Sequence, residues 1–417
     1  MDNKKPGRSI PSIECFISTG SKLVPLDAGC EGLTLPGAGL PGEPWAGAAP
    51  VTYGQYLGSV ALFLSTSSHR ALRRLLRQPG RPSGRAPARV STAREAGASA
   101  CPGPRSWAPG LEAASGIELI SEKHGALYSV SRLRVRFADD VRSFAVNCAF
   151  SPEQQAFLQA EVKLLARLNA RFGLPWLPLP FISAKTPLLG RLAGAHFMLF
   201  IAEWFENHHE FHLSLDASGA PAVSVWKQSG TPHFLSTRKT TELYRQASVI
   251  LTSCLDTRSF SQVYPWHHAA GDFVVDDSQN PPSLRLITVR GYRPLLARKS
   301  DSRDKMLGSL HFFVNLGIRM RIDRLDGTGE LAWAGHQCLP GVIRGFVDAW
   351  EDKSLKNKDL PKAREIFSLF LDFSPEERLA FAQIAAEEGR VEAGEGDFLL
   401  SQLPGHVIEL SEALKSF

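Results

Sequence analysis

Between Ile117 and Phe137 the chain alternates apolar and polar residues in two runs, Ile-Glu-Leu-Ile-Ser-Glu-Lys and Ser-Val-Ser-Arg-Leu-Arg-Val-Arg-Phe, around His124-Gly125. A period of two places successive side chains on opposite faces of a strand, so these runs predict a hairpin. Leu133, Val135 and Phe137 face a core in that hairpin, and Arg132, Arg134 and Arg136 face water. Residues 143–150 predict a third, more buried strand. Ser151-Pro152-Glu153 then opens a helix, with serine as N-cap, proline at the first helical position and a carboxylate in the first turn. Phe157, Leu158, Val162, Leu164, Leu165 and Leu168 give that helix its apolar face. Further strands are predicted over 196–204, 223–226, 273–275 and 284–289. Helices are predicted over 237–255, 307–322, 339–350, 363–373 and 375–388.

Before the hairpin the pattern is weaker. Residues 1–50 repeat proline and glycine without a sustained period and predict a disordered tail. Over 51–78, Leu57, Val60, Leu64, Leu72, Leu75 and Leu76 recur at helical spacing beside Arg70, Arg73, Arg74 and Arg77, predicting an amphipathic helical segment. Residues 79–115 predict a flexible linker, because Pro, Gly, Ala, Arg and Ser fill 27 of the 32 positions from 79 to 110 and leave little to bury.

Charge changes this picture in one respect. The net charge of +5 comes from residues 1–110, which hold 13 Lys and Arg against 6 Asp and Glu; residues 111–417 hold 34 against 36. The body of the chain is therefore near neutral, and nucleic acid is not an expected partner. No apolar run approaches the ~18 residues of a membrane span, and no signal peptide is recognisable, so the expected location is cytoplasmic with no membrane partner. Cys15, Cys30, Cys101, Cys148, Cys254 and Cys338 never form a C-x-x-C pair, which suits free thiols.

Two polar clusters carry candidate chemistry. In 203–212 (Glu-Trp-Phe-Glu-Asn-His-His-Glu-Phe-His), His208 and His212 have the four-residue spacing of a helical zinc pair, but His209 stands where the catalytic Glu of H-E-x-x-H belongs. A polar strand-end or loop is the plainer reading. In 264–273 (Tyr-Pro-Trp-His-His-Ala-Ala-Gly-Asp-Phe), His267, His268 and Asp272 sit on a Pro/Gly-shaped loop before a strand, where loops commonly carry sites. The plainer reading there is a tight loop whose histidines satisfy backbone groups. The stretch 321–330 looks like a calcium loop but lacks alternating oxygen ligands at its first positions. No phosphate-cradling glycine motif and no G-x-S-x-G elbow is present.

The order hairpin, third strand, helix containing Glu161, strand, long helix, loop and short strand pair resembles the protein-kinase and aminoglycoside-phosphotransferase fold over residues 117 to about 350. The resemblance implies an α+β, two-lobe arrangement: a small antiparallel sheet plus one helix over 116–204, a mainly helical lobe over 205–350, and a C-terminal helical segment over 355–417. It implies ATP and magnesium as ligands. His124 and Gly125 would cover the phosphates, although the glycine-rich pattern is missing. Asn147 would stand where the family places its lysine, Glu161 at that lysine's partner glutamate, and Glu203 at the end of the strand whose backbone takes the base. Asp272 would align with the metal-binding asparagine and His267 with the catalytic aspartate, and Thr288 replaces the second metal carboxylate.

Three functions remain open on the sequence. One is a divergent, degenerate kinase-like protein binding a nucleotide or small phosphorylated metabolite. Another is an unrelated enzyme using His267 and His268 for acid/base chemistry. The third is a non-catalytic protein with a protein partner, using Trp204, Phe205, Trp226, Trp266 and Trp333 as contact or core residues.

Overall fold

The computed structural model describes residues 10–20, 22–27, 29–36, 50–78, 110–124, 127–190, 195–227, 233–266, 271–294, 302–387 and 394–417. They fall into two units, one drawn from residues 1–82, 98–169 and 178–206, the other from 170–177 and 207–417.

In the first unit, β1 (Ile13–Ser18) and β2 (Leu23–Pro25) form strands inside the segment expected to be a tail. The helix α1 (Tyr53–Leu76) begins with a reciprocal capping box between Thr52 and Gln55 and breaks at Thr66–His69, where Ser67, Ser68 and His69 adopt left-handed backbone. Then come β3 (Gly116–His124), β4 (Ser129–Arg136), β5 (Val141–Ala149), α2 (Pro152–Phe172), β6 (Pro180–Pro187) and β7 (His196–Glu203). The seven strands make one sheet in the order β2-β1-β3-β4-β5-β7-β6. The sheet is large and mixed where a small antiparallel one was expected, because β1 pairs parallel to β3, with Ile13 opposite Ile117 and Ile17 opposite Ser121.

Alternation in the hairpin is realised: Ile117 lies opposite Val135 and Leu119 opposite Leu133. These residues join Phe144 and Val146 of β5 and Leu57, Val60, Leu64 and Leu72 of α1 in one apolar core. Leu111 is in that core too, so the stretch expected as linker over 79–115 gives way to packed chain by that point. The Tyr56 hydroxyl lies 2.6 Å from Ser131 Oγ, and its ring meets Phe150 edge-on at 5.5 Å. A buried tyrosine needs such a partner for its hydroxyl. Ser151 Oγ accepts from the Gln154 N–H at 3.1 Å, as its N-cap position predicts.

The second unit contains β8 (Glu210–Leu215), β9 (Pro221–Trp226), β10 (His233–Phe234), α3 (Thr237–Cys254), β11 (Ser261–Val263), β12 (Phe273–Asp276), β13 (Ser283–Leu286) and β14 (Tyr292–Pro294). It continues with α4 (Ser302–Arg319), β15 (Ile322–Arg324), β16 (Leu331–Trp333), α5 (Leu339–Lys356), α6 (Ala363–Asp372), α7 (Pro375–Glu387) and α8 (Glu395–Lys415). Helices α3 and α5 meet backbone to backbone. A Cβ added at Gly341 would lie 2.3 Å from the Thr241 carbonyl oxygen, and one at Gly345 would lie 2.1 Å from that of Arg245. Only glycine permits this approach. The chain is thus α+β, with a large mixed sheet and several helices. Among the described residues no helix is long and apolar enough to cross a membrane.

Candidate functional site

In the first unit, Asn147 is buried on β5, opposite Val130 of β4 and Phe200 of β7. Glu161 lies on α2 in a buried stripe with Gln154, Leu158, Leu165 and Leu168, so a carboxylate occupies the middle of a core-facing row. Glu203 ends β7 half-buried, and its N–H donates to the Leu179 carbonyl at 3.0 Å. His124 is the last residue of β3; its side chain and Gly125 lie outside the described residues.

The three hairpin arginines are on the face opposite the α1 core, and all are paired. Arg132 Nε is 2.9 Å from Glu122 and its guanidinium is 5.2 Å from the centroid of the Trp204 ring. Arg134 and Arg136 converge on Glu118 at 3.3 and 3.2 Å.

In the second unit, Asp272 immediately precedes β12 and is wholly buried. Gln246 of α3 anchors this hairpin, its amide donating to the Pro282 carbonyl at 2.6 Å and accepting from the Leu284 N–H at 3.0 Å. The Asp272 carbonyl accepts from the Ile287 N–H at 2.7 Å. Its carboxylate is held by Arg290, whose Nε donates to both oxygens at 3.1 Å and whose Nη2 donates to Oδ1 at 3.0 Å. Arg290 is fixed in turn by β14, where Tyr292 donates to the Cys254 carbonyl at 2.8 Å. A buried carboxylate needs such compensation, and a guanidinium supplies it with directed donors.

Where the kinase resemblance puts a magnesium ion, Asp272 therefore faces the chain's own cation. One carboxylate already neutralised in this way, with Thr288 in place of the second, does not fit a magnesium ion, which takes six oxygens. Sequence reasoning missed Arg290, because a lone arginine after β13 carries no mark of the buried acid it meets. His267 and His268, the acid/base candidates, lie outside the described residues.

The end of the 203–212 cluster forms β8, and among the described residues no three His, Cys, Asp or Glu side chains converge to hold an ion. Burial alone would lower the His212 imidazole, but Asp323 and Glu210 beside it overcome that and hold it up to about 9. The looked-for calcium loop is a structural brace. Asp323 accepts from the Leu213 N–H at 2.9 Å, and Asp326 accepts from the Ser214 hydroxyl at 2.6 Å. Of the aromatic residues offered as contacts, Trp266 is core, packed edge-on against Phe273, whereas Trp226 is 38% exposed.

No protein-family model matches the chain, and no curated protein matches it.

Proposed function

We propose that the chain is a degenerate kinase-like protein that binds a nucleotide or small phosphorylated metabolite and does not transfer the phosphate. The order of elements from β3 to β13 supports a two-lobe, kinase-like reading. The observation that carries the loss of transfer is the Asp272–Arg290 ion pair. Phosphoryl transfer depends on positioning and on neutralising charge with metal and lysine. Here Asn147 replaces the lysine, Thr288 replaces one metal carboxylate, and Arg290 occupies the other.

The test is the melting temperature of the full chain with ATP or GTP, each with magnesium and with EDTA, alongside a phosphate-release assay. Nucleotide at ~100 times its dissociation constant stabilises a folded state by about 2.7 kcal/mol. The expected result is a rise of equal size in magnesium and in EDTA, without phosphate release. No rise with either nucleotide would remove the nucleotide-binding reading. A magnesium-dependent rise with phosphate release would remove the degenerate one.

A further inference from the structure

A cavity of about 1280 Å³ opens within the second unit. Its walls are the end of α2 with the turn after it, the C-terminal end of α3 with the turn after it, and the outer half of α5. None of the residues expected to bind nucleotide lines it.

The lining is cationic beyond its own needs. It holds five cations, Arg171, Arg258, Lys305, Lys353 and Lys356, against three carboxylates, Asp256, Asp352 and Asp359, which leaves two positive charges over. Asp256 is committed to Arg171 at 2.6 Å, and Asp359 to Lys305 at 3.3 Å. Among the described residues Arg258, Lys353 and Lys356 have no carboxylate partner.

Lys353 donates to the Ser253 carbonyl at 3.0 Å and to that of Leu255 at 2.7 Å. Those bonds cap the end of α3. They use two of the ammonium's three donors and leave its charge standing. Burial, with the like charge of Lys356 adding to it, pulls that ammonium down to about 8. Cations crowded in this way are stabilised by an anion.

Two further features concern the body of a ligand. Arg171 and Lys353 each lie 5.3 Å from the centroid of the Phe172 ring, and Leu174 and Ala349 extend the apolar wall. Trp176, 5% exposed, also lines the cavity and closes its apolar side.

We propose that this cavity binds an organic phosphate monoester: the phosphate against Arg258, Lys353 and Lys356, and an apolar or aromatic body along Phe172. A phosphate monoester carries nearly two negative charges at pH 7, which matches the surplus. A carboxylate would leave half of it.

The test is calorimetric titration of the full chain with phenyl phosphate, inorganic phosphate and phenol. Phenyl phosphate binds, inorganic phosphate binds more weakly, and phenol does not bind. Arg258 and Lys356 are exposed, so Arg258→Glu with Lys356→Glu keeps the fold and weakens phenyl phosphate at least tenfold. Phe172→Leu keeps an apolar wall, removes the aromatic ring and weakens it about fivefold. Arg290→Lys keeps a cation beside the buried Asp272 and leaves this affinity unchanged, which separates the cavity from the site around Asp272. The inference is overturned if the unaltered chain does not bind phenyl phosphate, if neither cavity variant weakens it, or if Arg290→Lys does. Should the double reversal fail to fold, Phe172→Leu decides alone.

Discussion

The sheet face of the first unit and the interior of the second handle charge in opposite ways. On the first unit's sheet, Arg134 and Arg136 share Glu118 at 3.2–3.3 Å with 29% and 44% of the arginine side chains exposed. In the second unit, Arg319 and Glu395 pair with each side chain 1% exposed, and Arg321 reaches Glu409 with 3% exposed. Water compensates the arginines on the sheet if Glu118 is lost, and Glu118, itself buried, keeps one arginine if the other is lost. In the interior only the partner can. Buried pairs are thus expensive to break even where their net contribution is small, and surface pairs are cheap to break and to make.

The largest effect follows from breaking a buried pair. Glu395→Ala strands Arg319 and costs about 3–5 kcal/mol in urea unfolding, whereas Arg319→Met with Glu395→Leu restores most of that loss. A double variant as unstable as the single one would mean that the pair is not the source of the cost.

The next effect is one of pH. Burial, then the Arg321 guanidinium 3.3 Å away, hold the His406 imidazole down to about 3. The unfolded chain, with histidine near 6.5, binds the extra proton first, so the stability that His406 contributes is present above about pH 6.5 and is lost as pH falls toward 3. His406→Asn flattens melting temperature against pH in that window. His212 has the opposite sign: held up to about 9, it contributes stability fully present below about pH 6.5 and lost as pH rises through 9.

Gly345→Ala drives a methyl toward the Arg245 carbonyl oxygen and costs about 1–3 kcal/mol, read as a lower urea midpoint. Tyr56→Phe removes the 2.6 Å contact with Ser131 and costs about 1 kcal/mol in the first unit. Arg134→Ala is the smallest, at less than about 1 kcal/mol, and 0.5 M salt removes most of it. A loss above 3 kcal/mol there would erase the contrast between sheet face and interior.

Local pattern was enough for β3, β4, β5 and the start of α2, because alternation and an N-cap act between residues close in sequence. The same pattern misplaced Ile13–Ser18. Its Ile-Glu-Cys-Phe-Ile-Ser run sits in a Pro/Gly-rich stretch, and the partner that makes it a strand lies about 100 residues away on the edge of β3. Gly341 and Gly345 read as ordinary helix weaknesses until α3 is laid against them. Asp272 was legible as a loop-borne acid; what it holds was not, because Arg290 reaches it only through the turn after β13 and the anchorage of β14 on α3.

The sequence by itself determined the α+β character, the faces of the hairpin, the helices α3 to α7 and the near-neutral charge of residues 111–417, and marked α8 only as part of a helical segment over 355–417. Those features rest on periodicity and composition, which are properties of neighbouring residues. Only the tertiary structure decided that the N-terminal strands join the sheet, that Asp272 is neutralised by Arg290, and that Arg258, Lys353, Lys356 and Trp176 line one cavity. Each of these depends on long-range pairing or burial, where the energy of a charge or a strand edge is set by whatever distant segment covers it.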